Sequence, residues 1–321
     1  NLSRASKKYL ALCGGVGGAK LALGLGKVLS EGNLTIAVNT GDDFEHLGLL
    51  ICPDIDTVIY TLAGNVHPVQ GWGRDGESFA ALDTVERLGG ESWFRLGDKD
   101  IGLHLMRRLW LSEGLSLSEV TMRMARQLGV AHEIAPMTDD PVRTVLDTEA
   151  GTLAFQHYFV RERCIPKVTG IRFEGSAAAR PSPALARALA DPDLAGIIIC
   201  PSNPYLSVDP ILALPGVRTM LAEAPAPVVA VAPLVDGKAI KGPAAKIFAE
   251  LGLDVDLHVI DMAGWQPDAA PGYGWPLGER SWINPSPNAP NLWMARCYAG
   301  TVMLEGTTLS EGRGTTRPLE I

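Results

Sequence analysis

Residues 8–18, Lys8-Tyr-Leu-Ala-Leu-Cys-Gly-Gly-Val-Gly-Gly18, decide the fold of this chain. The apolar run over 8–13 is short and ends in glycines, which predicts a buried strand. The following stretch, 19–29, has helical periodicity, and 34–38 is a second apolar run. Strand, glycine loop, helix and strand in this order predict a βαβ unit, and hence a parallel sheet with a right-handed crossover.

The same alternation continues along the chain, which predicts a larger α/β fold. Short strands are predicted within 131–175 and at 195–200 and 227–231, and helices at 54–62, 77–90, 98–112, 116–129, 182–190 and 244–251. Asp54 is the expected N-cap of the first of these helices, and 39–53 is expected to be a loop. Ser116 and Glu119 are expected to form a capping box. The fold class is α/β: a doubly wound, mainly parallel Rossmann-like sheet with a helical insertion at about 77–130 and an irregular C-terminal segment.

Composition supports two domains and excludes several classes of protein. Residues 1–253 carry the α/β pattern, whereas 254–321 are irregular and rich in Trp, Pro and Gly. With 46% apolar residues the chain is not disordered, and its net charge of −8 argues against binding to nucleic acid or anionic membranes. No apolar run reaches the roughly 18–20 residues of a membrane span. Five scattered cysteines, no C-x-x-C pair and no visible signal peptide indicate a reduced, cytoplasmic protein.

The glycine loop is the first candidate binding feature. Gly14, Gly15, Gly17 and Gly18 lie between a strand and a helix, where free backbone N–H groups and the helix dipole favour a phosphate. The spacing matches neither G-x-x-x-x-G-K-[ST] nor G-x-G-x-x-G. The alternative is a tight turn that only needs positive φ.

An acidic cluster is the second. Asn39-Thr-Gly-Asp-Asp43 leaves the second strand, and Cys52-Pro-Asp-Ile-Asp56 opens the next helix. Carboxylates brought together without a nearby Lys or Arg repel one another unless a cation lies between them, and Mg²⁺ suits one or two carboxylates plus substrate phosphates. Asp54 is expected only to cap its helix, whereas Asp43 and Asp56 are expected to be functional.

Two weaker candidates follow strands or precede helices further along the chain. Arg95 could contact an anionic or flat polar ligand, or could simply be solvated. Ser202 and Asn203, in Pro201-Ser-Asn-Pro204, follow a buried strand and suit base or phosphate recognition, or form an Asx-type turn.

These pieces, in this order, resemble the 2-phospho-L-lactate transferase family (CofD type) over about residues 8–255. The resemblance rests on 14–20, 39–43, 52–64 and 71–73, and continues through 96–100, 137–141, 155–156, 201–204, 214–216 and 242–244. It implies an enzyme that moves a 2-phospholactyl or phosphoenolpyruvyl group from a guanylyl-activated donor to the deazaflavin Fo. It further implies that GMP is released, that Mg²⁺ is required, and that the product leads to coenzyme F(420).

The resemblance also implies roles for individual residues. Asp43 and Asp56 match carboxylates at the metal and acceptor site, and either could accept the proton of the attacking Fo hydroxyl. Asp56 and Arg95 match positions that contact the deazaflavin. The residues implied on the nucleotide and phosphate side are Gly14, Gly15, Gly17, Gly18, Asn39, Ser202 and Asn203.

The tail is similar to a different family. Residues 254–321, including Trp282-Ile-Asn-Pro-Ser-Pro-Asn288, resemble part of the exo-N-acetylmuramidase (NamZ-like) family. Glu305 and Glu311 could be mistaken for a glycosidase pair, but a turn-rich structural segment is the stronger interpretation. The chain is then a fusion.

Two other functions stay open from the sequence. One is a non-catalytic nucleotide-sugar-binding regulator of the YvcK type, against which 52–57 together with Gly71-Trp-Gly73 argue. The other is a cell-wall glycosidase, which would require export. For the transferase, a homodimer is an open option.

Overall fold

A computed structural model describes residues 7–68 and 70–231, the short strands at 234–235 and 238–239, and residues 246, 250 and 251. The strands are β1 (Lys8–Cys13), β2 (Leu34–Val38), β3 (Phe44–His46), β4 (Leu49–Ile51), β5 (Glu133–Pro136), β6 (Arg143–Thr148), β7 (Gly151–Ala154), β8 (Val168–Glu174), β9 (Leu194–Ile199), β10 (Val228–Ala230), β11 (Leu234–Val235) and β12 (Lys238–Ala239). The helices are α1 (Gly15–Val28), α2 (Pro53–Leu62), α3 (Ala80–Arg87), α4 (Asp98–Ser112), α5 (Leu117–Gln127), α6 (Pro183–Leu189), α7 (Asp209–Leu212) and α8 (Val217–Glu223).

The central sheet has five parallel strands in the order β10-β9-β1-β2-β5. Chain order runs from β1 towards β2 and β5 on one side, and β9 and β10 lie on the other. The order therefore reverses between β1 and β9, which is where open α/β sheets bind ligands. The α/β, doubly wound prediction is confirmed. A separate antiparallel sheet has the strand order β7-β6-β8. It lies within 131–175, where the sequence predicted short strands without giving their bounds.

Helices cover both faces of the central sheet because side chains alternate along its strands. On β1, Ala11 and Cys13 join the core beneath α1, α2 and α5. Leu10 and Leu12 point to the opposite core, which α6 covers with Leu185. A strand that is buried on both faces reads as a continuous apolar run, as 8–13 does.

The helical insertion contains α3, α4 and α5, close to the bounds expected from periodicity. Ser116 and Glu119 form the predicted capping box: the Ser116 hydroxyl accepts from the Glu119 N–H at 3.2 Å, and the Glu119 carboxylate accepts from the Ser116 N–H at 2.7 Å. None of the described helices is long and apolar enough to cross a bilayer.

Two local predictions were wrong. Part of the expected loop 39–53 is an antiparallel hairpin of β3 and β4, whose turn places Leu47 and Gly48 at φ +52° and +74°. Strands of three residues are too short to show alternation in the sequence. Asp54 does not cap α2, because the helix begins at Pro53 with Cys52 at its N-cap.

Some predictions fall on residues that the structure does not describe. Contacts divide the chain into two units after Asp254, and the described residues all belong to the first unit. Most of the helix predicted at 244–251 and all of the irregular segment 254–321, with Glu305 and Glu311, lie outside the described residues.

Candidate active site

Three loops meet where β1, β2 and β9 end. The loop after β1 is joined to the loop after β9, because the Gly14 N–H donates to Ser202 Oγ at 3.2 Å and Ser202 Oγ donates to the Gly14 carbonyl at 2.7 Å. Gly14 and Ser202, 188 positions apart in sequence, therefore lie side by side in one crevice. Whether they contact a nucleotide stays a prediction.

The glycines of this crevice are required by close packing. A Cβ on Gly17 would overlap the carbonyl oxygen of Pro201, and one on Gly18 would lie 2.7 Å from Ser202 Oγ. Gly15 has φ +61°, the left-handed region that favours glycine. The positive-φ alternative therefore holds for Gly15, while Gly17 and Gly18 let the two loops approach each other.

Asn39 is fully buried and its amide is bound within the protein. Its Nδ2 donates to Asp54 Oδ2 at 3.0 Å and to the Leu206 carbonyl at 3.3 Å, and its Oδ1 accepts from the Gly41 N–H at 2.8 Å. These contacts fix the loop that carries Asp43. Burial raises the pKa of Asp54 to about 6, against hydrogen bonds from Asn39 and the Gly15 backbone that favour its charged form. Asp54 therefore links α2 to the glycine loop.

Asn203 uses its side-chain oxygen to cap the turn that follows. Its Oδ1 accepts from the N–H groups of Tyr205 at 3.1 Å and Leu206 at 3.2 Å, which is the Asx-type arrangement. The structure thus assigns Asn203 Oδ1 to the chain itself, and a contact between Asn203 and a substrate stays a prediction.

Asp43 is buried without a conventional donor. It is 3% exposed, and neither of its carboxylate oxygens has a hydrogen-bond partner among the described residues. Burial raises its pKa to about 7, opposed by the charge of Arg143 and by the Cys52 thiol acting as a weak donor. The adjacent Asp42 also has a buried oxygen, Oδ1, without a partner. Such groups are costly unless a cation or a proton compensates them.

Asp56 differs from Asp43, because an arginine holds it. Arg107 on α4 forms a buried ion pair with Asp56: Nη1 lies 3.2 Å from Oδ2, and Nη2 contacts Oδ1. Burial opposes the charge on Arg107, but the Asp56 carboxylate prevails and raises the arginine's pKa. His104 Nδ1 lies 3.8 Å from Asp56 Oδ2, and burial lowers the pKa of His104 to about 4. The assumption that no basic residue lies near the acidic cluster was wrong.

The acidic cluster as a whole retains an excess of carboxylates. Asp42, Asp43, Asp54 and Asp56 are each at most 7% exposed. Within the described part of the chain, Arg107 and Arg143 are the cations that act on Asp43. No group of three or more His, Cys, Asp or Glu that could hold a metal ion occurs among the described residues. The unpartnered oxygens of Asp43 fit a cation whose remaining ligands come from water and substrate phosphates. Both oxygens of Asp56 already bind Arg107, and its role as a metal ligand stays a prediction.

Two clefts open on either side of Asp43, and Arg143 lines both. The leucine cleft is lined by Leu50, Leu111, Leu115 and Leu117. The aromatic cleft is lined by Phe44, Phe155, Gln156 and His157. Arg143 stands two residues after the stretch 137–141 that carries part of the family resemblance, but no role was predicted for it from the sequence.

An aromatic cluster adjoins the aromatic cleft. It consists of Phe44, His46, Trp93, Phe94 and His157. Ring centroids lie 4.9 Å apart for Phe44 and Phe94, 5.8 Å for Phe44 and Trp93, and 4.8 Å for Trp93 and His157. Two signals in the sequence could have indicated this cluster: Phe44 directly follows Asp43, and Trp93 and Phe94 directly precede Arg95.

The contact that the structure shows for Arg95 is outside the acidic cluster and the aromatic cluster. Arg95 is exposed, and its guanidinium carbon lies 4.2 Å from the ring centroid of Phe79. Arg95 lines neither cleft beside Asp43. Its predicted contact with a deazaflavin stays a prediction.

Together, the fold and the site define a doubly wound α/β protein. Its acidic cluster adjoins the glycine loop, near the reversal of strand order between β1 and β9. A family model described as 2-phospho-L-lactate transferase CofD matches residues 10–271. The chain belongs to this family of transferases. A second model, the C-terminal part of exo-beta-N-acetylmuramidase NamZ, matches residues 296–321, a shorter stretch than the resemblance drawn from the sequence.

Named relatives agree with the family. A phosphoenolpyruvate transferase of Kitasatospora aureofaciens is 39% identical over 83% of this chain and 84% of its own length. A 2-phospho-L-lactate transferase of Methanosarcina mazei is 36% identical over 75% of this chain and 78% of its own. A crystal structure of a Bacillus halodurans protein of the upf0052 family has a TM-score of 0.50 at 17% identity, covering 71% of this chain and 69% of that one. This last likeness concerns the fold alone.

Proposed function

We propose that this chain is a Mg²⁺-dependent transferase of coenzyme F(420) biosynthesis. It moves a 2-phospholactyl or phosphoenolpyruvyl group from a guanylyl-activated donor to the deazaflavin Fo and releases GMP. The observation that carries the proposal is Asp43, a buried carboxylate that lines both clefts and whose two oxygens have no N–H or O–H donor among the described residues. Membership of the CofD family and the names of its relatives support the choice of substrates.

The reaction is an in-line displacement at the β-phosphorus of the donor. A bond forms from the terminal hydroxyl oxygen of Fo to this phosphorus, and the bond from phosphorus to the bridging oxygen breaks. The electron pair of that bond leaves with GMP. The hydroxyl proton goes to a carboxylate of the acidic cluster. Asp43 and Asp56 are the two candidates for this proton acceptor.

The remaining residues bind and orient the two substrates. The backbone of the glycine loop and Ser202 face the donor's nucleotide and phosphates. The flat rings of Phe44 and Trp93 suit the ring system of the acceptor, because aromatic rings stack on flat heterocycles. Mg²⁺ held at Asp43, with Asp56 as the second candidate carboxylate, supplies positive charge that offsets the donor phosphates and the departing GMP.

One assay tests the function and identifies the donor. The protein is mixed with Fo, Mg²⁺ and guanylyl-activated lactate, enolpyruvate or glycerate in separate reactions, and GMP and the phosphodiester product are measured. We expect equal amounts of GMP and phosphodiester with at least one donor. Two relatives of similar identity are named for different donors: a phosphoenolpyruvate transferase at 39% and a 2-phospho-L-lactate transferase at 38%. Sequence identity alone therefore does not choose between the donors. A folded preparation that releases no GMP with any donor contradicts the proposal.

The cellular compartment and the oligomeric state of the enzyme rest on weaker observations. None of the described cysteines, Cys13, Cys52, Cys164 and Cys200, is in a disulfide, which supports a reducing, cytoplasmic setting. A homodimer is compatible with the proposal, and size-exclusion chromatography coupled to light scattering would test it.

A further inference from the structure

Arg143 has hydrogen-bonding capacity that the described residues leave unused. It is half-buried at the start of β6, and its one hydrogen bond within the described chain runs from Nη1 to the carbonyl of Val142 at 2.8 Å. No described carboxylate forms an ion pair with it. Glu174 is opposite Arg143 in the β6–β8 register, yet it binds Arg172 at 3.0 Å instead. A guanidinium has five N–H donors, so most of those of Arg143 have no partner in the part of the chain that the structure describes.

The fold fixes Arg143 next to the acidic cluster. The N–H of Thr144 donates to the carbonyl of Gly41 at 2.7 Å, which ties the start of β6 to the loop that ends in Asp43. A Cβ on Gly41 would lie 2.5 Å from Thr144 Oγ1, so the Gly41 backbone lies directly against the Thr144 side chain. Arg143 is consequently held at the junction of the leucine cleft and the aromatic cleft.

We propose that Arg143 binds the phosphate that is transferred, the β-phosphate of the guanylyl-activated donor. This inference rests on the proposed function and extends it to a residue that the sequence analysis did not name. Of the residues lining the two clefts, Arg143 is the one arginine or lysine. The planar guanidinium matches two non-bridging phosphate oxygens in a bidentate arrangement. Negative charge that develops on these oxygens in the transition state lies against the fixed cation.

The competing explanation is that Arg143 only balances the charge of Asp43. Charge balance requires a cation and is indifferent to its shape, so lysine should replace arginine without loss. Bidentate phosphate binding requires the parallel N–H groups of a planar guanidinium, so lysine should restore only part of the affinity. Arg172 on β8 is a matched control, because it belongs to the same antiparallel sheet, pairs with Asp147 and lines neither cleft.

The test compares two nucleotides that differ by the phosphate in question. GDP and GMP are titrated in the presence of Mg²⁺ into the wild-type protein and the variants R143Q, R143K and R172Q by isothermal titration calorimetry. We expect the wild type to bind GDP more tightly than GMP. R143Q should weaken GDP binding about 10- to 100-fold, as expected for the loss of charge-assisted hydrogen bonds, and leave GMP binding unchanged. R143K should fall between, and R172Q should match the wild type.

Each contrary result has a separate meaning. If R143Q keeps the GDP preference, or weakens GDP and GMP equally, Arg143 does not bind the β-phosphate. Full restoration by R143K supports charge balance and overturns the proposal. Thermal unfolding of each variant identifies a general loss of fold, which would also weaken both nucleotides equally. A wild-type protein that binds neither nucleotide and releases no GMP overturns the proposed function itself, whereas a failure confined to R143Q overturns only this inference.

Discussion

The carboxylate of Asp56 on α2 is held by the guanidinium of Arg107 on α4, with the two residues 5% and 1% exposed. Arg107 also donates to the Leu50 carbonyl at 3.2 Å, so one side chain joins the hairpin, α2 and α4. The helical insertion is thereby connected to the helix that borders the site. This contact fixes Asp56, whereas Asp43 has only the weak Cys52 thiol as a donor among the described residues.

Removal of Arg107 should strongly destabilise the protein. R107M leaves the Asp56 charge buried and unpaired, which typically costs about 3–5 kcal/mol in the free energy of unfolding. The double variant D56L/R107M removes both charges and should recover much of that loss. Urea unfolding of the three proteins measures the difference. R172M, which breaks an exposed ion pair with Asp147, should change stability little. If R107M is as stable as the wild type, the ion pair between Asp56 and Arg107 does not stabilise the fold.

The sequence predicted the frame of the site better than its charge. The elements β1, α1 and β2 were predicted correctly from residues 8–38, because local periodicity and glycines are enough to identify a βαβ unit. Arg107 is 51 positions from Asp56 and lies on α4, which buries His104 and Arg107 while Leu105 and Leu109 are exposed. Hydrophobic periodicity therefore does not reveal its partner. Asp54 was misread for the related reason that its bonds run to Asn39 and Gly15, which are distant in sequence. Contacts across the sheet edge carry no signature within any one segment.

Replacement of Asp43 should separate activity from stability. The pKa of Asp43 is raised in the folded protein, so its charged form opposes folding above about pH 7 and has no effect below the unfolded value near 4. D43N should therefore be more stable than the wild type at pH 8, by about 2–4 kcal/mol, and similar to it at pH 4.5. Its turnover should fall at least about 100-fold, as expected when a catalytic base or a metal ligand is lost. Thermal melts at both pH values in EDTA measure the stability; a difference that does not depend on pH would contradict the raised pKa.

Mg²⁺ should stabilise the wild type more than D43N. A cation that binds the folded state alone raises the melting temperature as its concentration exceeds its Kd. The measurement is a thermal melt with GDP present, over a series of Mg²⁺ concentrations, for the wild type, D43N and D147N. Asp147 pairs with Arg172 at the surface and serves as a control for general charge effects. Equal stabilisation of all three proteins would place the cation elsewhere.

The aromatic cluster should determine the affinity for the acceptor. W93A removes the ring that contacts Phe44 and His157, and loss of one stacking partner typically weakens binding about 10-fold. We expect the KM for Fo to rise by this factor with little change in the KM for the donor, and W93F to lie between. W110F is a control, because Trp110 on α4 lies under Arg123, with 4.4 Å between the guanidinium carbon and the ring centroid. An unchanged KM for Fo in W93A would remove Trp93 from the acceptor site.

Two glycines of α1 should respond in opposite directions to alanine. Gly17 faces the Pro201 carbonyl, where an added methyl group has no room and backbone must move, so G17A should destabilise the protein by more than about 2 kcal/mol. Gly24 is exposed on the same helix with no atom within 4 Å of its added Cβ. G24A should stabilise by about 0.5–1 kcal/mol, because alanine loses less backbone entropy in a helix. Urea unfolding of both variants compares the same substitution in the same helix, so the sign of the difference isolates the contact between the two loops. If G17A is as stable as G24A, close packing does not explain the glycine at position 17, and direct approach of a phosphate becomes the remaining reason for it.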